Sequence, residues 1–352
     1  MVLEKRACAL RMKPYASIII SNYNGKKWLK DCLESLLAQK LNKPFEIILV
    51  DDASTDGSAE YVKKNFPEVQ VIELHEEKGF AGANNIGVEY AKGDYVIFLN
   101  PDTRVEKDWL KELVKAIESN SRIGVAQSKL LFLEEPKYIQ SAGNFFDFHG
   151  NVYMRGIMQE DKGQFDKNDI ISYASGCALI IRRDFFGKIG MFDPAYFVYS
   201  EDADLSWRTW LAGYKVTLAY RSVVYHRGRM DTETRPPLIR FHQAKNRIAT
   251  LLKNYDMKNV VKYVNIPVLI YLRESLYYIV KRRLDMATAL VKGILWNLKN
   301  LRYVWKKRQW IKYNLRKVSD DYIKTCVMKK PFLPFPFYFL PIRRSHLVKR
   351  FL

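Results

Sequence analysis

The chain has 352 residues, 48% of them hydrophobic, which is sufficient for one large α/β core and an appendage of about a hundred residues. Its formal charge of +20 is uneven, because 29 basic and 31 acidic residues precede Arg227, whereas 29 basic and 7 acidic residues lie from Arg227 onward. This basic C-terminal part requires an anionic partner, and a lipid surface, a nucleic acid or an acidic polymer would serve.

Cysteine usage and hydropathy argue against a secreted disulfide scaffold and against a membrane-spanning protein. The four cysteines are scattered without a Cys-x-x-Cys pair: Cys8, Cys32, Cys177 and Cys326. The N-terminus has no apolar core of a secretory signal. The best candidate for a span, 260–280, contains Lys262, Arg273 and Glu274. We therefore expect a cytoplasmic protein that can lie on a membrane surface but does not cross it.

Four short runs rich in β-branched residues alternate with helical patterns in the first hundred residues. The runs cover 17–20, 46–50, 69–72 and 95–99, and they predict a βαβαβαβ arrangement with a mostly parallel sheet. The first helix has the apolar spacing of a helix that packs on a sheet, at Leu29, Cys32, Leu33, Leu36 and Leu37. In such sheets, ligands bind beyond the C-terminal ends of the strands.

Polar and acidic residues follow three of these strands, at 22–25, 51–57 and 100–103. Because the ends of parallel strands meet at one edge, these segments predict a crevice for a polar ligand. The segment 78–87 adds glycines and asparagines at a helix start, where backbone N–H groups can approach an anion. It lacks the Gly-Lys-Ser/Thr ending of a Walker loop.

The C-terminal part has a different pattern, with one apolar helical stripe and lysine and arginine residues beside it. The stripe comprises Ala287, Leu290, Val291, Ile294, Leu295, Leu298, Leu301, Val304 and Trp305. A basic amphipathic helix of this kind suits a lipid interface. The segment 332–342 is rich in aromatic residues and proline between basic pairs, which is also typical of an interfacial segment.

The order of these motifs resembles the family 2 glycosyltransferases with the GT-A fold, especially the branch of rhamnosyl- and galactofuranosyl-transferases that builds cell-surface polysaccharides. The resemblance covers 15–228, and its most specific segments are 50–58, 79–87, 99–103 and 197–208. It implies an α/β nucleotide-sugar-binding domain at 15–239, preceded by an N-terminal extension at 1–14. A basic amphipathic helical extension that associates with membranes then occupies 240–352.

The resemblance implies that Asp52 pairs with the nucleotide base of the donor. It assigns further residues to the same pocket: Ser21, Asn22 and Tyr23 as its wall, and Gly79 and Asn84 facing the phosphates or the ribose. A purely structural role is open for each motif. Asp51, Asp52 and Ser54 can cap the next helix, and the glycines can serve a tight helix entry.

The segment Asn100-Pro101-Asp102 stands where the family has its Asp-x-Asp motif. By resemblance, Asp102 binds Mg²⁺ or Mn²⁺, which neutralises the leaving nucleoside diphosphate, and His226 is a second metal ligand. Asn100 replaces the first aspartate, so the site has one formal charge less and Asn100 is assigned to substrate binding. A Pro-Asp turn and a packed histidine are the structural alternatives.

The pair Glu201-Asp202 precedes an apolar helical pattern, so it lies at a helix start. In the family, the aspartate of this pair is the general base, which assigns Asp202 to accept the proton of the acceptor hydroxyl. Glu201 is assigned to positioning. Glu201 and Asp204 are the competing carboxylates, and first-turn placement against the helix dipole is their structural alternative. We assign the other histidines to surface or structural roles: His75, His149, His242 and His346.

These observations predict an inverting glycosyltransferase that uses a dTDP-, UDP- or GDP-linked sugar and one divalent cation. The acceptor is a lipid-linked glycan or a polysaccharide, and the location is the inner face of the cell membrane, on anionic lipid. One alternative is a nucleic-acid-binding protein, which is disfavoured because a phosphate-binding arm needs no apolar stripe. A catalytically inactive scaffold at the membrane is the other alternative. We expect no nucleic-acid partner.

Overall fold

The computed structural model describes residues 13–228 and 237–330. Its first half is a four-stranded parallel sheet in the order β3-β2-β1-β4, with a helix after each of the first three strands. These elements are β1 (Ala16–Asn22), α1 (Lys26–Leu37), β2 (Phe45–Asp51), α2 (Ser58–Asn65), β3 (Val69–Glu73), α3 (Gly79–Tyr90) and β4 (Tyr95–Leu99). All four strands predicted from the β-branched runs are present.

The sheet continues beyond β4 with mixed strand directions, in the order β10-β6-β11-β5. β10 is antiparallel to both β4 and β6, whereas β11 runs parallel to β6. The elements of this part are β5 (Thr103–Val105), α4 (Trp109–Glu118), β6 (Ile123–Phe132), β7 (Ile139–Ser141), β8 (Asn144–Phe146), β9 (Val152–Met154), β10 (Ala178–Arg182), α5 (Arg183–Lys188), α6 (Glu201–Leu211) and β11 (Lys215–His226). The α/β class is therefore confirmed, and the sheet is all parallel in its first four strands and mixed beyond them.

Two apolar clusters fill the space on the two faces of this sheet, because alternate residues of each strand point to opposite faces. On β1, Ile19 belongs to one cluster, and Ile18 and Ile20 belong to the other. Helix α1 packs its predicted apolar face on the sheet with one exception. Leu37, the last residue of the helix, is 40% exposed.

Six helices follow the sheet and pack on it and on one another. They are α7 (Pro237–Asn254), α8 (Met257–Tyr263), α9 (Asn265–Val280), α10 (Leu284–Lys299), α11 (Leu301–Trp310) and α12 (Asp320–Cys326). None of the helices among the described residues has the length and hydropathy needed to span a bilayer. A boundary between residues 239 and 240 would fall inside α7, whose side chains contact residues 193–204 of the sheet domain.

The predicted C-terminal stripe is not a single exposed face. The helix breaks at Asn300, between α10 and α11. Ala287 and Leu290 are buried because α10 packs against α7 and α9, and Val304 is buried where α11 packs against α7. Leu298 and Trp305 are exposed. The predicted interfacial segment 332–342 and His346 lie outside the described residues.

Candidate functional site

The ends of β1, β2 and β4 lie side by side, as the parallel order predicts. Asn22 pairs in register with Asp51, and its amide nitrogen donates a 2.8 Å hydrogen bond to Asp51 Oδ1. Asp51 Oδ2 accepts a hydrogen bond of 3.2 Å from the backbone N–H of Ser54. Both carboxylate oxygens of Asp51 are thus used to shape the turn after β2, which is a structural role.

Asp52 connects the end of β2 to the start of α3. Its two carboxylate oxygens accept hydrogen bonds of 2.7 and 2.8 Å from the backbone N–H groups of Lys78 and Gly79. Burial raises the pKa of Asp52, and the two N–H donors partly offset that rise. Each carboxylate oxygen can accept a second hydrogen bond, so the carboxylate retains capacity for a donor on a nucleotide base.

Asn84 on α3 faces Ser21 on β1, and its amide nitrogen donates a 3.1 Å hydrogen bond to the Ser21 hydroxyl. The amide oxygens of Asn84 and Asn22 are buried and have no hydrogen-bond partner among the described residues. Unpaired buried acceptors are costly, so a ligand or water that donates to them would be stabilised here. Tyr23 is 53% exposed, which leaves its ring available to a ligand at the rim.

Gly79 is fixed by both its conformation and its surroundings. Its φ is +68°, and a Cβ at this position would lie 2.5 Å from the backbone oxygen of Phe197. Any side chain would therefore separate α3 from the loop before α6. The N–H of Ala81 donates a 3.1 Å hydrogen bond to the same Phe197 oxygen, which holds the two segments together.

Asp102, His226 and Asn100 converge after β4 and at the end of β11. His226 Nε2 lies 3.2 Å from Asp102 Oδ1 and 3.3 Å from Asn100 Nδ2. On the other side of the ring, Nδ1 lies 2.6 Å from Gln140 Oε1, which fixes the orientation of the imidazole. Burial by itself would lower the pKa of His226, but the neighbouring Cys177 and Asp102 raise it well above its ordinary value.

The spacing of Asp102 and His226 fits two neighbouring ligands of one cation. Two ligand atoms at about 2.1 Å from an octahedral cation and at right angles are about 3.0 Å apart, close to the 3.2 Å between Asp102 Oδ1 and His226 Nε2. The described residues include no cluster of three or more His, Cys, Asp or Glu side chains with metal-binding geometry. A cation here would take its remaining ligands from diphosphate oxygens and water, as Mg²⁺ commonly does.

Glu201 and Asp202 begin α6, and their environments differ. Asp202 is partly exposed, and its oxygens accept hydrogen bonds of 2.9 Å from the N–H of Gly176 and 2.7 Å from the N–H of Ala203. Glu201 is buried, and its Oε2 has no hydrogen-bond partner in the part of the chain that the structure describes. Burial raises the pKa of both carboxyl groups, and the charge of Asp202 adds to the rise at Glu201. Asp202 is the member of the pair that an acceptor can reach.

Asp204, the third carboxylate of this helix, is fully buried and structural. It accepts hydrogen bonds of 3.0 Å from Arg208 Nε, 3.2 Å from Lys253 Nζ and 2.9 Å from Asn254 Nδ2. Burial would raise the pKa of Asp204, but the charges of Lys253 and Arg208 outweigh it and lower that pKa. A carboxylate with these partners is not available as a base.

Gly176 and Cys177 connect Asp202 with the group formed by Asn100, Asp102 and His226. The N–H of Gly176 donates to Asp202, as described above, and the backbone oxygen of Cys177 accepts a 3.0 Å hydrogen bond from the N–H of Asn100. The Cys177 side chain also hydrogen-bonds His226. Two consecutive residues thus hold the candidate base and the candidate metal ligands in one crevice.

The loop before Glu201 is held by a residue that the sequence does not mark. Phe197, Tyr199 and Ser200 all have positive φ, an uncommon conformation for residues other than glycine. The side-chain amide of Asn246 on α7 lies 2.9 Å from the Tyr196 oxygen, 2.9 Å from the Val198 oxygen and 2.6 Å from the Tyr199 oxygen. No local motif around Asn246 indicates this contact, because the loop is about fifty positions away in the chain.

His242 has the structural role assigned to it. Its ring stacks on that of Phe197, with centroids 5.1 Å apart. Burial lowers the pKa of His242 to about 4, and the charge of Lys245 contributes to that shift. The imidazole is therefore neutral near pH 7 and supports the loop by packing.

The glycosyl transferase family 2 profile matches residues 17–190, which contain the parallel half of the sheet and the segment after β4. The chain therefore contains a glycosyl transferase family 2 domain. Among its relatives is the O-antigen biosynthesis protein RfbC of Myxococcus xanthus, 28% identical over 227 residues, which are 62% of this chain and 18% of that protein. The matched segments span only 18 to 44% of the length of the first few curated relatives.

Solved glycosyltransferases share the fold of this chain. The S. aureus TarS 1-349 structure in complex with UDP-GlcNAc has a TM-score of 0.54 and 19% identity, and the match covers 89% of this chain and 92% of TarS 1-349. The mannosyltransferase PcManGT from Pyrobaculum calidifontis in complex with GDP-Man and Mn²⁺ has a TM-score of 0.51 and 15% identity, with 84% and 93% of the two chains covered. At these identities, the similarity shows the GT-A fold alone.

Proposed function

We propose that this family 2 glycosyltransferase inverts the anomeric centre as it moves a sugar from a nucleotide-sugar to a hydroxyl of a lipid-linked glycan or polysaccharide. The observation that carries the proposal is the Gly176–Cys177 link, which brings Asp202 into the crevice that contains Asp102 and His226. The donors named for TarS and PcManGT support a nucleotide-sugar, and the name of RfbC supports a role in surface polysaccharide synthesis. The rhamnosyl- and galactofuranosyl-transferase-like branch is proposed from the resemblance of the sequence motifs alone.

In this reaction, Asp202 accepts the proton of the acceptor hydroxyl while the oxygen attacks the anomeric carbon from the side opposite the diphosphate. The new bond forms between that oxygen and the anomeric carbon, and the bond to the diphosphate oxygen breaks. The electron pair leaves with the nucleoside diphosphate. Glu201 is buried behind Asp202 and positions it.

Asp102 and His226 would hold a divalent cation, Mg²⁺ or Mn²⁺, which supplies charge neutralisation for the leaving diphosphate. The Mn²⁺ in the PcManGT complex supports a cation of this kind. Asn100 is uncharged, so its part is to hydrogen-bond the donor or His226. The nucleotide and its phosphates bind to the residues at the ends of the parallel strands and at the start of α3, which are Asp52, Asn84, Ser21, Asn22, Tyr23 and Gly79.

The acceptor is held at an anionic membrane surface on the cytoplasmic side. The support for this part is the excess of basic over acidic residues from Arg227 onward, 29 against 7. A positive tail attracts anionic lipid and raises the local concentration of the enzyme where lipid-linked acceptors are found.

A thermal-shift panel tests the donor site directly. We expect dTDP, UDP or GDP to raise the melting temperature when Mn²⁺ or Mg²⁺ is present, and not in excess chelator. A ligand at about 100 times its dissociation constant adds about 2.7 kcal/mol to the free energy of unfolding. If no nucleoside diphosphate stabilises the protein with either cation, the proposed donor site is wrong.

A further inference from the structure

Helices α9 and α10 form an antiparallel pair with rows of exposed apolar side chains. In the folded chain, these side chains are 40 to 80% exposed, whereas the sheet domain buries most residues of this type. On α9 they are Leu269, Leu272, Leu276, Ile279 and Val280. On α10 they are Leu284, Leu295 and Leu298, and α11 continues with Leu301 and Trp305.

Each row lies on the solvent-exposed side of its helix. The Ser275 hydroxyl donates a 3.1 Å hydrogen bond to the Ala287 oxygen, which sets the register of the two helices. Counting three and six residues from this contact in opposite directions brings Leu272 level with Leu290 and Leu269 level with Gly293. The other side of α10 packs on α7, where a Cβ on Gly293 would lie 2.7 Å from the Phe241 oxygen. The exposed rows therefore face away from the enzyme core.

Basic residues are numerous in the helices that carry this apolar surface, and one of them, Arg308, is buried. Residues 257–310 contain twelve lysines and arginines and only two acidic residues, Glu274 and Asp285. Both acidic side chains are paired, Glu274 with Arg240 at 3.5 Å and Asp285 with Arg283 at 3.0 Å. The positive charge around the apolar rows therefore has little internal compensation.

We propose that the α9–α10 face, defined by the apolar rows above, docks on an anionic lipid bilayer. The leucines enter the headgroup and acyl boundary, and the basic residues contact lipid phosphates. A nucleic acid would use the charges but leave the apolar rows in water. Docking of a second copy of this chain would bring two strongly basic surfaces together, and their repulsion costs free energy. Docking rests on the proposed function in one respect only, because an acceptor held at the membrane is the reason why docking would be useful.

Docking on this face would orient the catalytic crevice. Helix α10 packs on α7, and Asn297 on α10 donates a 3.0 Å hydrogen bond to the Lys245 oxygen. The next residue on α7, Asn246, holds the loop that leads to Asp202. The bilayer contact and the candidate base are therefore connected through one rigid helix.

Vesicle sedimentation of the full chain, without a donor, tests the proposal. We expect binding to vesicles that contain phosphatidylglycerol, weaker binding to pure phosphatidylcholine, and a decrease with salt that does not abolish binding. Leu272→Glu should lower the affinity for anionic vesicles by about tenfold or more, because it puts a charge in the apolar row. Leu37→Glu is the matched control, since Leu37 is 40% and Leu272 41% exposed. The control should bind like the parent.

Equal vesicle affinities of Leu272→Glu and Leu37→Glu would overturn the proposal and assign lipid binding to another part of the chain. It would also be overturned if the parent ignored vesicles but shifted duplex DNA, or if it were a dimer that Leu272→Glu dissociates. Because binding is measured without a nucleotide-sugar, failure here leaves the catalytic proposal intact. Failure of catalysis would likewise leave the docking result unchanged.

Discussion

At the scale of single residues, the site depends on two pairs of side chains with different surroundings. Asp102 and His226 share one hydrogen bond at the crevice, whereas Glu201 and Asp202 are adjacent on α6 and differ in exposure. Burial alone would lower the pKa of His226, but Cys177 and Asp102 raise it, so binding of a cation at the proposed site should release a proton from the imidazole.

Alanine substitutions of Asp102 and His226 should weaken cation-dependent nucleotide binding to different degrees. Asp102→Ala should abolish stabilisation by nucleoside diphosphate with Mn²⁺ and mimic excess chelator, because it removes the only carboxylate ligand proposed here. His226→Ala should weaken cation-dependent binding by less, since a neutral ligand compensates less charge. Titration of Mn²⁺ against the melting temperature measures both effects. Unchanged Mn²⁺ dependence in Asp102→Ala would contradict the metal assignment.

At the scale of elements, the loop 196–200 is the least regular part of the site and the most dependent on its neighbours. Its positive φ angles cost free energy, of order 1–3 kcal/mol for each residue in a sparsely populated region, and persist only where surrounding contacts fix them. Asn246 on α7 supplies those contacts through its amide. Helix α7 therefore supports the loop that leads to the proposed base.

Asn246→Ala should lower turnover by about tenfold or more while the affinity for nucleoside diphosphate changes little, because the loop positions Asp202 and not the nucleotide pocket. Asn297→Ala is a suitable control. Asn297 is also a buried helical asparagine, and its amide donates to the Lys245 and Gly293 oxygens without touching the loop. Kinetics and nucleotide binding on both variants test the role of Asn246. Equal losses of turnover in the two variants would reduce Asn246 to a packing residue.

At the scale of the whole molecule, buried ion pairs join the C-terminal helices to the sheet domain. Lys253 on α7 lies 2.6 Å from Asp193 Oδ2 and 3.2 Å from Asp204 Oδ2, and all three side chains are buried. The pKa of Asp193 is lowered, because Lys253 outweighs the effect of burial. Removal of the C-terminal helices would leave both carboxylates without this partner.

Lys253→Ala should lower the free energy of unfolding by about 3–5 kcal/mol, because it leaves two buried carboxylates with less compensation. Lys188→Ala removes an exposed lysine that is paired with Asp184 at 2.8 Å, and it should lower the free energy of unfolding far less. Denaturant unfolding of both variants makes the comparison. Similar small losses would show that α7 is not essential to the stability of the sheet domain.

The sequence predicted the parts of the molecule that depend on local pattern. The β-branched runs marked the four parallel strands, and the motifs after them placed Asn22, Asp52 and Asn100 at one edge. Pattern could not reveal the contacts of Gly176, Gln140 and Asn246, because each joins segments far apart in the chain and none has a local signature. The C-terminal stripe was interpreted as one face because periodicity cannot show which turns of a helix a neighbour covers.

Turnover and donor binding by Asp202→Asn test the central claim most directly. The change keeps the shape of the side chain and removes its ability to accept a proton. We expect turnover to fall on the order of a hundredfold or more while donor affinity stays similar. Glu201→Gln, the matched amide variant of the neighbouring residue, should lose less. The opposite ranking would make Glu201 the base, and full turnover in both variants would contradict the inverting mechanism.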